Sequence, residues 1–157
     1  IGNVVAKSNL IPDDAIRIRV IANSNSEYDQ EIKTKVKDVV EYDMYNLLKN
    51  TKELEEARKL IKNNLNDVEN NIDTLLQKEK YPLSFNVNFG LNYFPKKEFK
   101  GITYEEGYYE SVVVTLGEGL GDNWWCVLFP PLCMIEAEES TDVEYTTMVE
   151  EIINKYF

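Results

Sequence analysis

Two consecutive apolar stripes with helical spacing constrain this fold more than any other feature of the chain. The first follows Ser26, a residue suited to cap a helix N-terminus, and repeats every three or four positions to about residue 49. The second runs over residues 52–78, and its stripe consists of Leu54, Ala57, Ile61, Leu65, Val68, Ile72 and Leu75. A helix with one apolar face must bury that face against another layer. The pattern therefore predicts two long amphipathic helices packed on a sheet.

Strand patterns lie on both sides of these helices. Residues 16–22 alternate apolar side chains with arginine and then become continuously apolar, residues 83–92 alternate strictly, and residues 108–116 are rich in β-branched side chains. A short edge strand is expected within residues 99–104, and a last helix is expected from Thr141 or Asp142 through Tyr156. The order predicts an α+β fold with an antiparallel or mixed β-sheet, covered on one face by two long N-terminal helices and followed by a C-terminal helix.

Length and composition indicate one domain. The chain has 157 residues, is 43% hydrophobic and shows no second compositional block. Residues 1–15 have no sustained period and are predicted to be an N-terminal arm from which an anchor or signal has been removed. Residues 16–157 are predicted to form a single α+β domain. The net charge of −11 argues against nucleic acid or anionic lipid as a partner and fits a solvated surface or a basic protein partner.

Histidine is absent from the sequence, which removes the commonest general base and metal ligand. We expect no catalytic residue, no metal and no cofactor. The two cysteines, Cys126 and Cys133, lack the spacing of a CxxC redox motif, and a cysteine nucleophile would lack its histidine. A disulfide and two free thiols both remain open, and a disulfide would indicate an extracytoplasmic compartment.

Unusual residues concentrate in the segment 117–133, GEGLGDNWWCVLFPPLC. Because glycine and Pro-Pro break regular elements while tryptophan and cysteine are usually inside, the segment is predicted to be a shaped loop anchored by its own apolar groups. The glycines at 117, 119 and 121 lack the Lys-Ser/Thr and the following helix of a phosphate-binding loop, so they indicate a tight turn. Adjacent tryptophans in an extended segment point to opposite faces, so Trp124 and Trp125 are either core residues or a recognition surface.

The sequence leaves two alternative functions open. The carboxylates of Glu118, Asp122 and Glu136 could form an acid/base pair, which would make the chain a carboxylate-dependent hydrolase. The apolar stripe at 54–75 could instead bind a partner, which would make the chain a structural protein-binding module.

Two stretches resemble the stage II sporulation protein R family. The first is Ile16-Arg17-Ile18-Arg19-Val20-Ile21-Ala22-Asn23-Ser24-Asn25-Ser26, followed by Asp29-Gln30, Lys33 and Lys35-Val36-Lys37-Asp38-Val39. The second is the Gly117 to Cys133 segment, which is long and chemically odd.

The resemblance implies a signalling protein of endospore-forming Firmicutes that is not an enzyme. Family members are made in the forespore and secreted into the intermembrane space, where they are taken to activate a membrane-embedded aspartic protease of the mother cell that processes pro-sigma-E. We expect the extracytoplasmic face of that protease to be the partner. The predicted contacts are Asn123, Trp124, Trp125, Phe129, Pro130 and Pro131. The turn of Asn23, Ser24 and Ser26 is expected to brace that segment.

Overall fold

The structure, a computed structural model, describes residues 10–133 and 141–157. In this part of the chain the elements are β1 (Ile16–Ile21), α1 (Glu27–Leu48), α2 (Leu54–Lys78), β2 (Phe85–Phe94), β3 (Lys97–Phe99), β4 (Ile102–Tyr104), β5 (Gly107–Leu116), β6 (Asn123–Phe129) and α3 (Asp142–Tyr156). The predicted α+β class, with two long helices early in the chain and one at its C-terminal end, is confirmed.

The helix starts follow the capping signals. The Ser26 hydroxyl accepts a hydrogen bond from the backbone N–H of Asp29 at 3.1 Å and so caps α1. Thr141 and Glu144 form a reciprocal capping box at the start of α3. Both caps satisfy backbone donors that have no partner within their own helix.

The main sheet is mixed. In the described residues it has four strands in the order β2-β5-β1-β6. The central pair, β1 and β5, runs parallel, whereas β2 pairs antiparallel with β5 and β6 pairs antiparallel with β1. The carboxyl ends of β1 and β5 therefore lie side by side, so the segments that follow these two strands meet at one end of the sheet.

The larger core lies between this sheet and helices α1 and α2. Alternate residues of β1 and β5, such as Ile18 and Val114, face the helices and are fully buried. The α2 stripe lies in the same core, with Ala57, Ile61, Val68 and Ile72 buried and Leu54, Leu65 and Leu75 packed at its margin. The stripe is therefore occupied by the chain's own core, which contradicts the alternative that it is an exposed partner-binding face.

The expectation of a sheet covered on one face is wrong, because a second cluster covers the opposite face. We call it the outer cluster; its buried members are Ile11, Ala15, Ile102, Tyr104, Val127, Leu132, Tyr145 and Val149. Residues 99–104 contribute to it as part of a hairpin of β3 and β4 rather than as a single edge strand. Lys100 and Gly101, both with positive φ, turn the chain between those strands.

Part of the predicted arm packs on the domain. Ile11 is 8% exposed and Ala15 is fully buried, and both belong to the outer cluster. Residues 1–9 lie outside the described part of the chain. The division at residue 16 stays a prediction.

Candidate functional site

The segment 117–133 is built differently from the single shaped loop that its glycines and prolines predict. Residues 117–122 form a turn, residues 123–129 form strand β6, and residues 130–133 turn the chain again. In β6, Trp124 lies opposite Val20 and Trp125 opposite Arg19 of β1. The prediction failed because the aromatic and aliphatic run favours a strand, and the glycines and prolines restrict only its two ends.

The glycine turn is bonded to the segment that joins β1 to α1. We call residues 22–26 and 117–122 together the loop pair. Four backbone N–H groups of the turn donate across it: Glu118 to Asn23 Oδ1 (2.8 Å), Leu120 to Asn23 O (3.0 Å), Gly121 to Ala22 O (2.9 Å) and Asp122 to Asn25 Oδ1 (2.7 Å). Two segments almost a hundred residues apart in sequence thus form one rigid unit.

Close contact across the loop pair explains two of its glycines. A Cβ atom on Gly117 would lie 2.3 Å from Asn23 Oδ1, and Gly117 also has a φ of 55°. A Cβ atom on Gly121 would lie 2.3 Å from the carbonyl oxygen of Ser24. Both distances are far below van der Waals contact, so a larger residue would separate the two segments.

A buried carboxylate ties the loop pair to α1. Asp29 Oδ2 accepts hydrogen bonds from Ser24 Oγ at 2.6 Å and from Asn23 Nδ2 at 2.9 Å. These hydrogen bonds, with a smaller one from Ser26, lower the pKa of the Asp29 carboxyl because they stabilise its charged form. The predicted turn residues Asn23, Ser24 and Ser26 therefore converge on Asp29. In the sequence, Asp29 stands out only as part of the first family-like stretch, with no role of its own.

The two tryptophans lie on opposite faces of the sheet, as expected for neighbours in a strand. Trp124 packs at the margin of the helix-side core, and Lys37 Nζ lies 5.3 Å from its ring centroid. Trp125 packs at the margin of the outer cluster, edge-to-face with Tyr104 at 4.9 Å and with Phe94 at 5.6 Å. Both side chains are half-buried, so each is partly a packing residue.

Trp125 also belongs to an aromatic box around Arg17. The Arg17 side chain is 2% exposed, and its guanidinium carbon lies 3.6 Å from the ring centroid of Tyr109 and 5.1 Å from that of Trp125. Among the described residues its Nε and Nη1 have no hydrogen-bond partner. Burial lowers the pKa of Arg17 because it disfavours the charged form. The alternation of apolar residues with arginine in β1 does not reveal this burial, because the aromatic side chains that cover Arg17 come from other segments.

The end of β6 is packed rather than exposed. Phe129 is 1% exposed and Pro130 is buried, whereas Pro131 is half-buried and lines an apolar groove of about 250 Å³ with residues of α1 and α3. The expectation that Phe129 and Pro130 contact a partner is therefore corrected, because neither is at the surface. Cys126 and Cys133 are joined by a disulfide, which links β6 to the turn that follows it.

The acid/base alternative finds little support in the geometry. Glu118 and Asp122 are both exposed on the glycine turn, and Glu136 lies outside the described residues. In the described ranges, no group of three or more Asp, Glu, Cys or His side chains is placed to hold a metal ion. The helices described there also include none with the length and apolar character needed to span a bilayer.

Comparison with known proteins decides the family. The family profile described as Stage II sporulation protein R matches residues 12–139, which is most of the chain. The chain belongs to the stage II sporulation protein R family. Stage II sporulation protein R of Bacillus subtilis (strain 168) is 40% identical over 127 residues, which cover 81% of this chain and 57% of that protein. The chain thus spans little more than half the length of that relative. No solved structure matches the chain.

The match to the stage II sporulation protein R family includes both halves of the loop pair, all of β6 and the disulfide. It ends before α3, which begins at Asp142. The structure brings Asn23, Ser24 and Ser26 together with the glycine turn. Asn123 directly follows that turn, and its Oδ1 accepts a hydrogen bond from Arg19 Nε at 3.0 Å. The arrangement is a rigid surface made of two loops, which suits recognition.

Leu120 is a candidate site residue of this family member that the sequence patterns did not single out. Leu120 sits at the tip of the glycine turn and is 75% exposed. The available signal was an apolar residue between two glycines, Gly119 and Gly121, where a polar residue is the usual choice in a turn.

Proposed function

We propose that this chain is a secreted signalling protein of sporulation that activates a membrane-embedded aspartic protease of the mother cell and so triggers the processing of pro-sigma-E. Membership in the stage II sporulation protein R family supports a role in sporulation. The chain acts by binding the extracytoplasmic face of the protease and has no catalytic residue of its own. It is secreted from the forespore into the intermembrane space.

The observation that carries this proposal is the loop pair. The two stretches that resemble the family are distant in sequence, yet they are bonded into one surface by hydrogen bonds of 2.7–3.0 Å. A surface that is already ordered loses little conformational entropy on binding, so more of its contact energy is available for affinity. A protein that works by contact alone benefits from such preorganisation.

Two further observations support an extracytoplasmic binding protein. The Cys126–Cys133 disulfide fits an oxidising compartment. The net charge of −11 fits a basic protein partner better than it fits nucleic acid. Among the predicted contact residues, Asn123, Trp124, Trp125 and Pro131 keep part of their surface accessible and remain candidates for contact.

Reconstitution tests the proposal. The protease is placed in lipid vesicles with pro-sigma-E, and processing is measured with and without the purified chain. We expect processing to rise saturably with the concentration of the chain, and an unrelated protein of similar net charge serves as the control for charge alone. Processing that is the same with the chain and with the control would contradict the proposal.

Alanine variants of the two tryptophans then test whether each side chain contacts the partner or only packs within the chain. Trp124→Ala and Trp125→Ala are each assayed for folding by circular dichroism and for stimulation of processing. A variant that folds but stimulates poorly marks its tryptophan as a contact. If both variants fold and stimulate normally, the tryptophans serve the core only.

A further inference from the structure

Exposed apolar side chains gather around the loop pair. Leu120 is 75% exposed, Tyr28 is 47% exposed and Leu83 is 43% exposed. They come from three separate segments, which the structure joins at this end of the sheet. The N–H of Gly117 donates to the carbonyl of Ser84 at 2.8 Å, which places Leu83 next to the glycine turn.

Tyr28 reaches the same region from the first turn of α1. Its ring is stacked on that of Tyr81, with centroids 6.4 Å apart. The hydroxyl of Tyr81 is buried and, among the described residues, has no hydrogen-bond partner. The neighbouring residue, Asp29, is the carboxylate that holds Asn23 and Ser24. Tyr28, Leu83 and Leu120 therefore border one rigid unit, and we call these three residues the corner surface.

The position of Leu120 is unexpected for a residue that serves only the fold. Its backbone N–H is used to hold the turn, while its side chain extends into solvent. A single exposed leucine is common on protein surfaces, but here three exposed apolar residues are all carried by segments that hydrogen bonds attach to the loop pair. The hydrogen bonds fix where the leucine is presented.

Three exposed carboxylates adjoin corner-surface residues in the sequence: Glu27, Glu118 and Asp122. The nearby Lys33 is engaged within the same unit, since its Nζ donates to Gln30 Oε1 at 2.6 Å and to Asp122 O at 3.4 Å. The chain as a whole carries a net charge of −11. A complementary partner surface would present an apolar pocket with Lys or Arg at its rim.

We infer that the corner surface is the site through which this chain binds its partner, with Leu120 as the anchor that enters an apolar pocket rimmed by basic residues. This inference rests on the proposed function, since the partner in question is the protease that the chain activates. It places the main contact at the tip of the glycine turn. The contacts expected from the sequence lie in the residues that follow: Asn123, Trp124, Trp125, Phe129, Pro130 and Pro131.

A second group of exposed apolar side chains lies at the opposite end of the antiparallel β2–β5 strand pair. There Tyr93 and Tyr108 pack edge-to-face with each other at 5.6 Å, and the Tyr93 hydroxyl donates to Glu106 Oε2 at 2.9 Å. These side chains lie at the end of the sheet away from the loop pair, which favours the corner surface as the binding site. Leu91 in this second group is 73% exposed, and it therefore provides a control that matches Leu120 in residue type and exposure.

The test compares Leu120→Ser with Leu91→Ser, each in the otherwise unchanged 157-residue chain, added to the vesicles that contain the protease and pro-sigma-E. We expect Leu120→Ser to raise the half-maximal concentration for activation about 10- to 100-fold, as loss of one buried leucine at an interface predicts. Leu91→Ser should change it by no more than about twofold. A Leu120→Ser effect within twofold, or an equal effect of both variants, would overturn the inference.

Melting temperatures show whether Leu120→Ser acts by weakening binding or by destabilising the fold. Because the side chain of Leu120 is exposed, Leu120→Ser should melt at the temperature of the wild type. A clear decrease in melting temperature would assign Leu120 to packing and would also overturn the inference.

A separate experiment tests whether basic residues surround the pocket of the partner. The double variant Glu118→Gln/Asp122→Asn should require a higher concentration for activation at low salt and should respond less to added salt than the wild type. An unchanged salt response would refute the basic rim. If the wild type itself fails to stimulate processing, the proposed function fails and this inference fails with it. If the wild type and Leu120→Ser stimulate equally, only this inference fails.

Discussion

Replacement of Gly121 by alanine probes the closest approach of backbone to backbone in the loop pair. The added Cβ atom would lie 2.3 Å from the Ser24 carbonyl oxygen and 2.5 Å from the Ser24 carbonyl carbon. Both atoms are backbone, so neither can move aside by a change of rotamer. The two segments must instead separate by about 1 Å to reach ordinary van der Waals distance.

That separation breaks two backbone hydrogen bonds, from Gly121 N to Ala22 O at 2.9 Å and from Leu120 N to Asn23 O at 3.0 Å. Each contributes about 1 kcal/mol net, so Gly121→Ala should lower the free energy of unfolding by about 2 kcal/mol. For a chain of 157 residues, this corresponds to a decrease in melting temperature of about 4–8 °C.

Gly90→Ala is the matched control. A Cβ atom on Gly90 would meet only Asn88 Oδ1, at 3.7 Å, which is ordinary contact. The alanine restricts the unfolded chain, so the control should be unchanged or more stable by about 0.4–1 kcal/mol. Thermal unfolding followed by circular dichroism measures both variants. Equal melting temperatures for Gly121→Ala and Gly90→Ala would refute the close packing of the loop pair.

Three further predictions concern the disulfide, the buried carboxylate and the aromatic box. Replacing Cys126 and Cys133 together by serine should lower the free energy of unfolding by about 2.5 kcal/mol, because the disulfide no longer closes a loop of about eight residues in the unfolded chain. Urea denaturation measures this change, and an unchanged midpoint would contradict a stabilising disulfide. The hydrogen-bonded Asp29 carboxyl has a pKa below its ordinary value of 3.8, so its contribution to stability is present above that value and is lost as the pH falls through the lower folded-state pKa. The difference in melting temperature between wild type and Asp29→Asn should therefore be largest near neutral pH and shrink below about pH 4, and a difference independent of pH would refute this account. Trp125→Ala should cost about 3–5 kcal/mol in the same denaturation assay because it opens the box around Arg17, and a loss below about 1 kcal/mol would show that the box does not depend on this ring.

Local signals in the sequence were sufficient for the helices. The stripes of α1 and α2 and the caps at Ser26 and Thr141 depend on residues within one or two turns of each other, so spacing alone reveals them. The sequence predicted an antiparallel or mixed sheet but not which strands pair. The parallel pairing of β1 with β5 joins segments that are far apart in sequence, so local patterns do not indicate it.

Strand β6 shows where local signals mislead. The glycines before it and the prolines after it predicted a loop over residues 117–133, although the seven residues between them are a strand. The burial of Arg17 was hidden for a related reason. Its cover is assembled from β2, β4, β5 and β6, and no spacing within β1 indicates it.

The candidate site was only partly predictable. Its two segments were both singled out, but the hydrogen bond from the Glu118 N–H to Asn23 joins residues 95 positions apart. That contact determines which side chains of the two segments are exposed. Phe129 and Pro130 became packing residues, whereas Leu120 came to the surface.

Photo-crosslinking from the tip of the glycine turn tests most directly whether the chain acts through the loop pair. A photoreactive phenylalanine analogue is placed at position 120 or at the equally exposed position 91, and each protein is irradiated with the reconstituted protease. The account predicts a crosslink to the protease from position 120 and none from position 91. Crosslinking from position 91 alone, with activation intact, would contradict it.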